Sequence, residues 1–159
     1  MTAAPDLIDP VVGFRHWRID DEALWSPYVG FRWVPGVNVA SCAVMPAHDG
    51  HAPVHDCTCG LYAWYRPCPR GAVLGTRDLV AGAVAMWGAL ECHAGGVRAQ
   101  YAAVVAIVIP LWCGRKRRRL LEIADLLGVE VVPARALKGV ALAHGLPLPK
   151  AWAPRRGAL

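Results

Sequence analysis

The sequence contains no run of apolar residues long enough to cross a membrane as a helix. Its longest apolar run, residues 101–114, is interrupted by Pro110, whereas a spanning helix needs about 20 residues. The first ten residues, MTAAPDLIDP, lack the basic and apolar segments of a secretory signal. We therefore expect a cytoplasmic protein that does not enter a membrane, with cysteines that act as thiols or metal ligands rather than as disulfides.

Motifs of common enzyme classes are also missing. There is no Gly-rich phosphate loop, no G-x-S-x-G nucleophile elbow and no H-E-x-x-H zinc motif. The close group of carboxylates, Asp20-Asp21-Glu22, is typical of a solvated turn. Glu91 and His93 share one face of a predicted strand, but an exposed strand end is the simpler interpretation. The sequence therefore predicts no catalytic residue.

Charged residues are scarce and apolar residues are abundant. Of the 159 residues, 18% are charged and 55% are hydrophobic, so the chain is too apolar for a disordered protein and can bury the core of one domain. The 17 Lys and Arg outnumber the 12 Asp and Glu, and the net charge of +5 permits an anionic partner. We predict one β-rich domain over residues 1–145, followed by a tail at 146–159.

Strands dominate the prediction for the first two thirds of the chain. Short stretches rich in Val, Trp and Tyr, separated by Gly, Pro and Asp, are typical of an antiparallel meander. Ala94-Gly95-Gly96 predicts a tight hairpin between the last two strands, and Gly82 and Gly88 predict a bulge or a close approach of another backbone. The predicted strands are 12–19, 37–44, 61–64, 79–93 and 97–109.

A helix-strand-helix pattern follows at about residues 115–145. Leucine and isoleucine spacing predicts a helix over 117–127 that ends at Gly128, then a strand over 129–132 and a helix over 133–144. Residues 146–159 contain three prolines and a basic pair, which indicates a loose tail. The predicted fold is α+β: a small, mixed, partly closed β-barrel with C-terminal helices and a Cys/His loop. This architecture is similar to the PUA-like barrels that read RNA or modified bases.

The segment 41–68 concentrates metal-ligand residues, with four of the six cysteines and three histidines. Cys57-Thr58-Cys59-Gly60 places two thiolates one residue apart, and the following glycine lets backbone amides approach the sulfurs. Cys42 ends a predicted strand and supplies a third thiolate. We predict a structural Zn²⁺ site, because three thiolates and one imidazole complete a closed tetrahedral shell. The predicted ligands are Cys42, His51, Cys57 and Cys59.

Several residues compete for the fourth ligand position. His51 is preferred because it precedes Ala52-Pro53, whose restricted backbone would hold the ring. His48, His55 and Cys68 are the alternatives. The simpler interpretation treats Cys42 and Cys68 as small buried residues and the histidines as solvated, and Cys92 and Cys113 are expected in the core.

Several short motifs resemble a family of small actinobacterial proteins. They are Gly13-Phe14-Arg15-His16-Trp17-Arg18, Ala40-Ser41-Cys42, His51-Ala52-Pro53, Cys57-Thr58-Cys59-Gly60-Leu61-Tyr62-Ala63, Trp87-Gly88 and Gly96-Val97-Arg98-Ala99. Together they cover about residues 13–103, and the C-x-C-G-x-Y-A piece is the most specific. The resemblance implies the same metal ligands and fold, without an activity.

Aromatic and basic residues indicate a binding function. The leading hypothesis is a non-enzymatic module for nucleic acid or a nucleotide-like ligand. Core packing of the rings and a solvated charge run are the simpler interpretations. The alternatives are a protein-interaction or regulatory partner with a purely structural zinc loop, and a metal-dependent hydrolase with an open metal position. The candidate stacking residues are Trp17, Trp33, Tyr62 and Trp87, and the candidate phosphate contacts are Arg98, Arg115, Arg117 and Arg118.

Overall fold

Nine strands and two helices form the part of the chain that the computed structural model describes, residues 9–20, 22–48, 51–67, 78–111, 114–149 and 152. This mixed α+β composition, mostly strands, confirms the predicted class. A one-turn 3-10 helix spans Pro46–His48. The strands are β1 (Val11–Asp20), β2 (Ala23–Trp25), β3 (Arg32–Trp33), β4 (Asn38–Val39), β5 (Leu61–Trp64), β6 (Leu79–Cys92), β7 (Gly96–Val108), β8 (Glu130–Val132) and β9 (Leu146–Pro147), and the helices are α1 (Gly114–Leu127) and α2 (Leu137–Leu142).

Four strands close into a ring. β1 pairs antiparallel with both β5 and β6, and β7 pairs antiparallel with the same two strands. β2 and β3 extend the sheet from β1, whereas β4 pairs with β7. β8 and β9 add in parallel to β7 and β1, which makes the sheet mixed.

Both faces of the central strands are covered, which explains the nearly continuous apolar sequences of β6 and β7. One core cluster contains Trp17 and Val84 together with Leu120 of α1. The second contains Phe14 and Leu137 of α2. The first cluster also includes Cys42 and Cys59, so the predicted metal loop is anchored to the core.

The glycines of β6 mark irregularities, as predicted. Gly88 has φ of +77° and lies where the β6–β7 register shifts between Trp87 and Leu90. At Gly82, an added Cβ would lie 2.3 Å from the carbonyl oxygen of Ala106 and 2.6 Å from the Trp17 ring. The absence of a side chain therefore allows β7 and Trp17 to approach β6 closely.

Gly82→Ala is expected to lower the free energy of unfolding by about 1–3 kcal/mol, because backbone and a buried ring must move to admit the methyl group. Chemical denaturation measures this. The matched control is Gly139→Ala in α2, where a Cβ meets nothing within 4 Å and helix propensity favours alanine. Equal stabilities of Gly82→Ala and the parent protein would contradict the close approach.

Some predicted elements are shorter in the structure. The strand predicted over 37–44 is reduced to Asn38–Val39, because the Asn38 side chain hydrogen-bonds the backbone of Val34 and the chain turns at Cys42. The helix predicted over 133–144 is reduced to α2. Ala136 at its N-cap provides no side-chain hydrogen bond, and residues 134–136 form turns.

Three short strands were not predicted, and α1 begins three residues before the predicted start. β2 and β3 are three and two residues long, below the length at which alternation is detectable. β9 lies in the first two residues of the predicted tail and pairs with the start of β1. Most of the remaining tail lies outside the described residues.

Candidate metal centre and adjoining cavity

Three cysteines and one histidine could hold a metal ion. The ligand atoms of Cys42, His48, Cys57 and Cys59 all lie within 4.8 Å of one another. The Sγ atoms of Cys42 and Cys57 are 3.6 Å apart, so they are neighbouring thiols rather than a disulfide.

Three separate segments bring these ligands together. Cys42 follows β4, His48 ends the 3-10 helix, and Cys57 and Cys59 lie just before β5. Turn hydrogen bonds shape the intervening loop, because the N–H of Cys57 donates to the carbonyl of Val54 over 3.0 Å. The site therefore closes a loop between β4 and β5.

Backbone amides donate to two of the sulfurs. The N–H of Met45 donates to Sγ of Cys42 over 3.3 Å, and the N–H of Val54 donates to Sγ of Cys59 over 3.4 Å. The Met45 bond is the main reason that the pKa of the Cys42 thiol falls to about 7, whereas burial raises the pKa of Cys59. Cys42 is thus prepared to act as a thiolate ligand near neutral pH.

The glycine of the C-x-C-G motif has a conformational role. Gly60 has φ of +120°, a backbone conformation that other residues rarely adopt. A Cβ at this position would also lie 3.1 Å from the Cβ atoms of Pro53 and Arg98. Gly60 therefore turns the chain from the ligand pair into β5, close to Arg98.

The structure places His48, rather than His51, beside the three sulfurs. His51 is exposed and is not among the grouped ligands; its backbone N–H donates to the carbonyl of His48. His55 instead faces Glu91, with Nδ1 3.4 Å from Oε1. Cys68, the remaining alternative, lies outside the described residues.

Arg98 is buried and hydrogen-bonds the backbone of the metal loop, and this corrects its predicted role as a phosphate contact. The residue is 2% exposed, and its guanidinium forms a buried ion pair with Glu91. It also donates to the carbonyls of Cys57 and Cys59, and its Nε donates to Nε2 of His93 over 3.0 Å. A side chain with these contacts is not accessible to a polymer.

The predicted stacking residues have different environments. Trp17 and Trp33 are 0% and 2% exposed and pack edge to face in the core, so their predicted role as ligand surfaces is replaced by core packing. Trp87 is partly buried and stacks on Tyr101. Tyr62 is 45% exposed and lies over Arg98. Of the four, only Tyr62 lines the cavity that adjoins the metal ligands.

This cavity has a volume of about 660 Å³, and two of the metal ligands, Cys42 and Cys59, line it. Arg15, His16 and Trp64 also line it. The His16 ring stacks on Trp64, with centroids 4.9 Å apart. Sequence reasoning did not predict these residues as a site, because they come together only when β1 pairs with β5.

Burial favours the neutral form of both histidines that line the cavity. His16 is 7% exposed, and burial, followed by the charge of Arg15, lowers the pKa of its imidazole. Burial and the charge of Arg98 also lower the pKa of His93. The two rings are therefore uncharged hydrogen-bonding groups at neutral pH.

The predicted basic contacts on α1 lie at the surface. Arg115, Arg117 and Arg118 are exposed on the first turns of the helix. Arg118 pairs with Glu122 over 3.6 Å, one turn further along α1. The opposite side of α1 buries Leu120, Ile123 and Ala124.

No helix in the described ranges has the length and apolar character needed to span a membrane. Comparisons with protein-family models, curated proteins and solved structures gave no match for this chain.

Proposed function

We propose that this protein is a non-enzymatic, zinc-stabilised module that binds nucleic acid. The observation that carries the proposal is the group of Cys42, His48, Cys57 and Cys59, whose ligand atoms lie within 4.8 Å of one another. A surface with an excess of positive charge on α1 supplies the contact with the polymer.

Zinc is the metal that this donor set favours. Thiolate and imidazole are the ligands of structural Zn²⁺ sites, and a tetrahedral shell with Zn–S bonds of about 2.3 Å separates its sulfurs by about 3.8 Å. The 3.6 Å between the sulfurs of Cys42 and Cys57 is close to that separation. Small movements of the side chains would complete the shell.

The proposed role of the metal is structural. Four protein ligands fill a tetrahedral shell and leave no position for the water that a hydrolase would activate. The ion would join the end of β4, the 3-10 helix and the start of β5, and thereby order the loop between the two strands.

The basic residues of α1 are the proposed nucleic-acid contacts. Arg115, Arg117 and Arg119 are exposed, and none of them forms an ion pair within the described part of the chain. Cations at the start of a helix oppose the helix dipole, so helix stability does not account for this sequence. Phosphate groups would neutralise the three charges and release counterions.

The proposal also includes the type of barrel that the strands form. The ring of β1, β5, β7 and β6, with helices on both faces, is compatible with a small, partly closed barrel similar to PUA-like barrels. The resemblance to small actinobacterial proteins that share the C-x-C-G-x-Y-A piece is likewise a proposal. Neither supplies a function on its own.

Titration of labelled single-stranded and double-stranded oligonucleotides across salt concentrations tests the proposal. We expect saturable binding that weakens steeply with salt. Arg115→Gln/Arg117→Gln/Arg119→Gln is expected to reduce the slope of log K against log salt by about 0.9 for each duplex phosphate that the variant no longer neutralises.

The matched control is Arg32→Gln/Arg66→Gln/Arg135→Gln, which removes the same charge from exposed positions outside α1. This variant should retain the salt slope of the parent protein. Absence of saturable binding, or an equal reduction of the slope in both triple variants, would contradict a nucleic-acid surface on α1.

A further inference from the structure

We propose that the cavity beside the metal centre binds a neutral, planar heterocycle of nucleobase size, and that the bound metal shapes one of its walls. This site is separate from the basic surface of α1 and concerns a small molecule rather than a polymer, and the role of the metal in it rests on the metal centre of the proposed function.

The size and the aromatic wall of the cavity suit a flat ligand. Its volume of about 660 Å³ lies within the range of about 300–1,000 Å³ that is usual for small-molecule sites. His16 and Trp64 stack at an interplanar angle of 26°, and Tyr28 meets His16 edge to face. Tyr62 and Trp64 are partly exposed at this site, so their rings can contact a ligand.

The charges around the cavity favour a neutral ligand. No Asp, Glu or Lys is among its described lining residues, and Arg15 is the one guanidinium there. A Zn²⁺ ion with three thiolates and a neutral imidazole would carry a charge of −1. That charge offsets Arg15, so neither a strongly cationic nor a strongly anionic ligand is preferred.

Polar groups in the wall can orient a heterocycle. Oγ of Ser26 accepts hydrogen bonds from Nη2 of Arg15 and Nε1 of Trp33, each over 3.1 Å, which leaves the hydroxyl hydrogen to donate. Nδ1 of His16 is buried with no hydrogen-bond partner among the described residues. Ser26 and His16 are both more than nine-tenths buried. A heterocycle with a carbonyl group can accept a hydrogen bond from the Ser26 hydroxyl, whereas a hydrocarbon cannot, and Nδ1 of His16 is closed off from the cavity.

The metal centre and the cavity share residues. Cys42 and Cys59 are metal ligands and also line the cavity, and Gly60 to Tyr62 continue the same wall into β5. Loss of the metal would loosen the part of this wall that precedes β5, because the described residues between β4 and β5 form only a one-turn 3-10 helix and turns. Ligand affinity should therefore depend on metal loading.

Adenosine, cytidine, guanosine and uridine are the probes, and ligand-detected NMR on the zinc-loaded protein measures their binding. We expect saturable binding of at least one nucleoside, weakened at least tenfold by a chelator that removes the metal. Trp64→Leu is expected to weaken binding about tenfold through loss of stacking, and Trp64→Phe to retain most of the affinity.

The control is Trp87→Leu, because Trp87 stacks on Tyr101 and does not line the cavity.

A second readout needs no variant: with Co²⁺ in place of zinc, the protons of the bound nucleoside should relax faster than with zinc. Three results would overturn the proposal: no saturable binding of any of the four nucleosides, equally weakened binding in Trp64→Leu and Trp87→Leu, or no additional relaxation from Co²⁺. None of these results bears on the arginines of α1.

Discussion

Cys57→Ser and Cys59→Ser are each expected to lower the metal content of the purified protein from one ion per chain to almost none. A serine hydroxyl does not ionise near neutral pH and does not replace a thiolate ligand. Binding of structural zinc contributes about 10–16 kcal/mol in zinc-finger peptides, and this energy orders the surrounding chain. Elemental analysis measures the metal, and hydrogen exchange should show loss of protection over residues 40–62.

Cys92→Ala is the control for this pair. Cys92 is as buried as the core residues around it but is not among the grouped ligands. Its replacement should retain the metal and affect only packing. Full metal content in both Cys57→Ser and Cys59→Ser would show that these thiolates are not ligands.

Arg98→Met is expected to lower the free energy of unfolding by about 3–5 kcal/mol, because it leaves the buried Glu91 carboxylate without its guanidinium partner and with only the imidazoles of His55 and His93 nearby. The carbonyls of Cys57 and Cys59 are also deprived of their shared donor. Chemical denaturation measures the stability, and the rate of zinc transfer to a chelator, expected to increase, measures the effect on the loop.

The double variant Arg98→Met/Glu91→Gln measures how much of the loss of stability comes from the unpaired charge of Glu91. Removal of both charges should restore part of the stability, since the unpaired carboxylate is then absent. Arg98→Lys keeps the charge but cannot make the same forked hydrogen bonds, so zinc transfer should remain faster than in the parent protein. A decrease in the free energy of unfolding of less than about 1 kcal/mol in Arg98→Met, as is typical of exposed ion pairs, would contradict a stabilising buried ion pair between Arg98 and Glu91.

The strands predicted from sequence were those long enough to show a pattern. β1, β5, β6 and β7 have runs of β-branched and small residues bounded by turn signals, and Ala94-Gly95-Gly96 indicated the hairpin between β6 and β7. β3 and β9 have two residues each and depend on pairing with distant segments. Their formation is a tertiary effect that local sequence does not encode.

The candidate site was partly predictable for a similar reason. Thiol spacing indicated the three cysteines, but the choice among histidines depended on the 3-10 helix, which places His48 rather than His51 beside the sulfurs. The sequence alone also gave no reason to separate Arg98 from the arginines of α1. Its buried position follows from the pairing of β7 with β5 and β6.

X-ray absorption at the zinc edge of the purified protein, combined with elemental analysis, is the most direct test that Cys42, His48, Cys57 and Cys59 hold one metal ion. We expect one zinc per chain, bound by three sulfurs at about 2.3 Å and one nitrogen at about 2.0 Å. A protein that remains without metal after exposure to stoichiometric zinc, or a bound ion surrounded only by nitrogen and oxygen, would contradict the proposed centre.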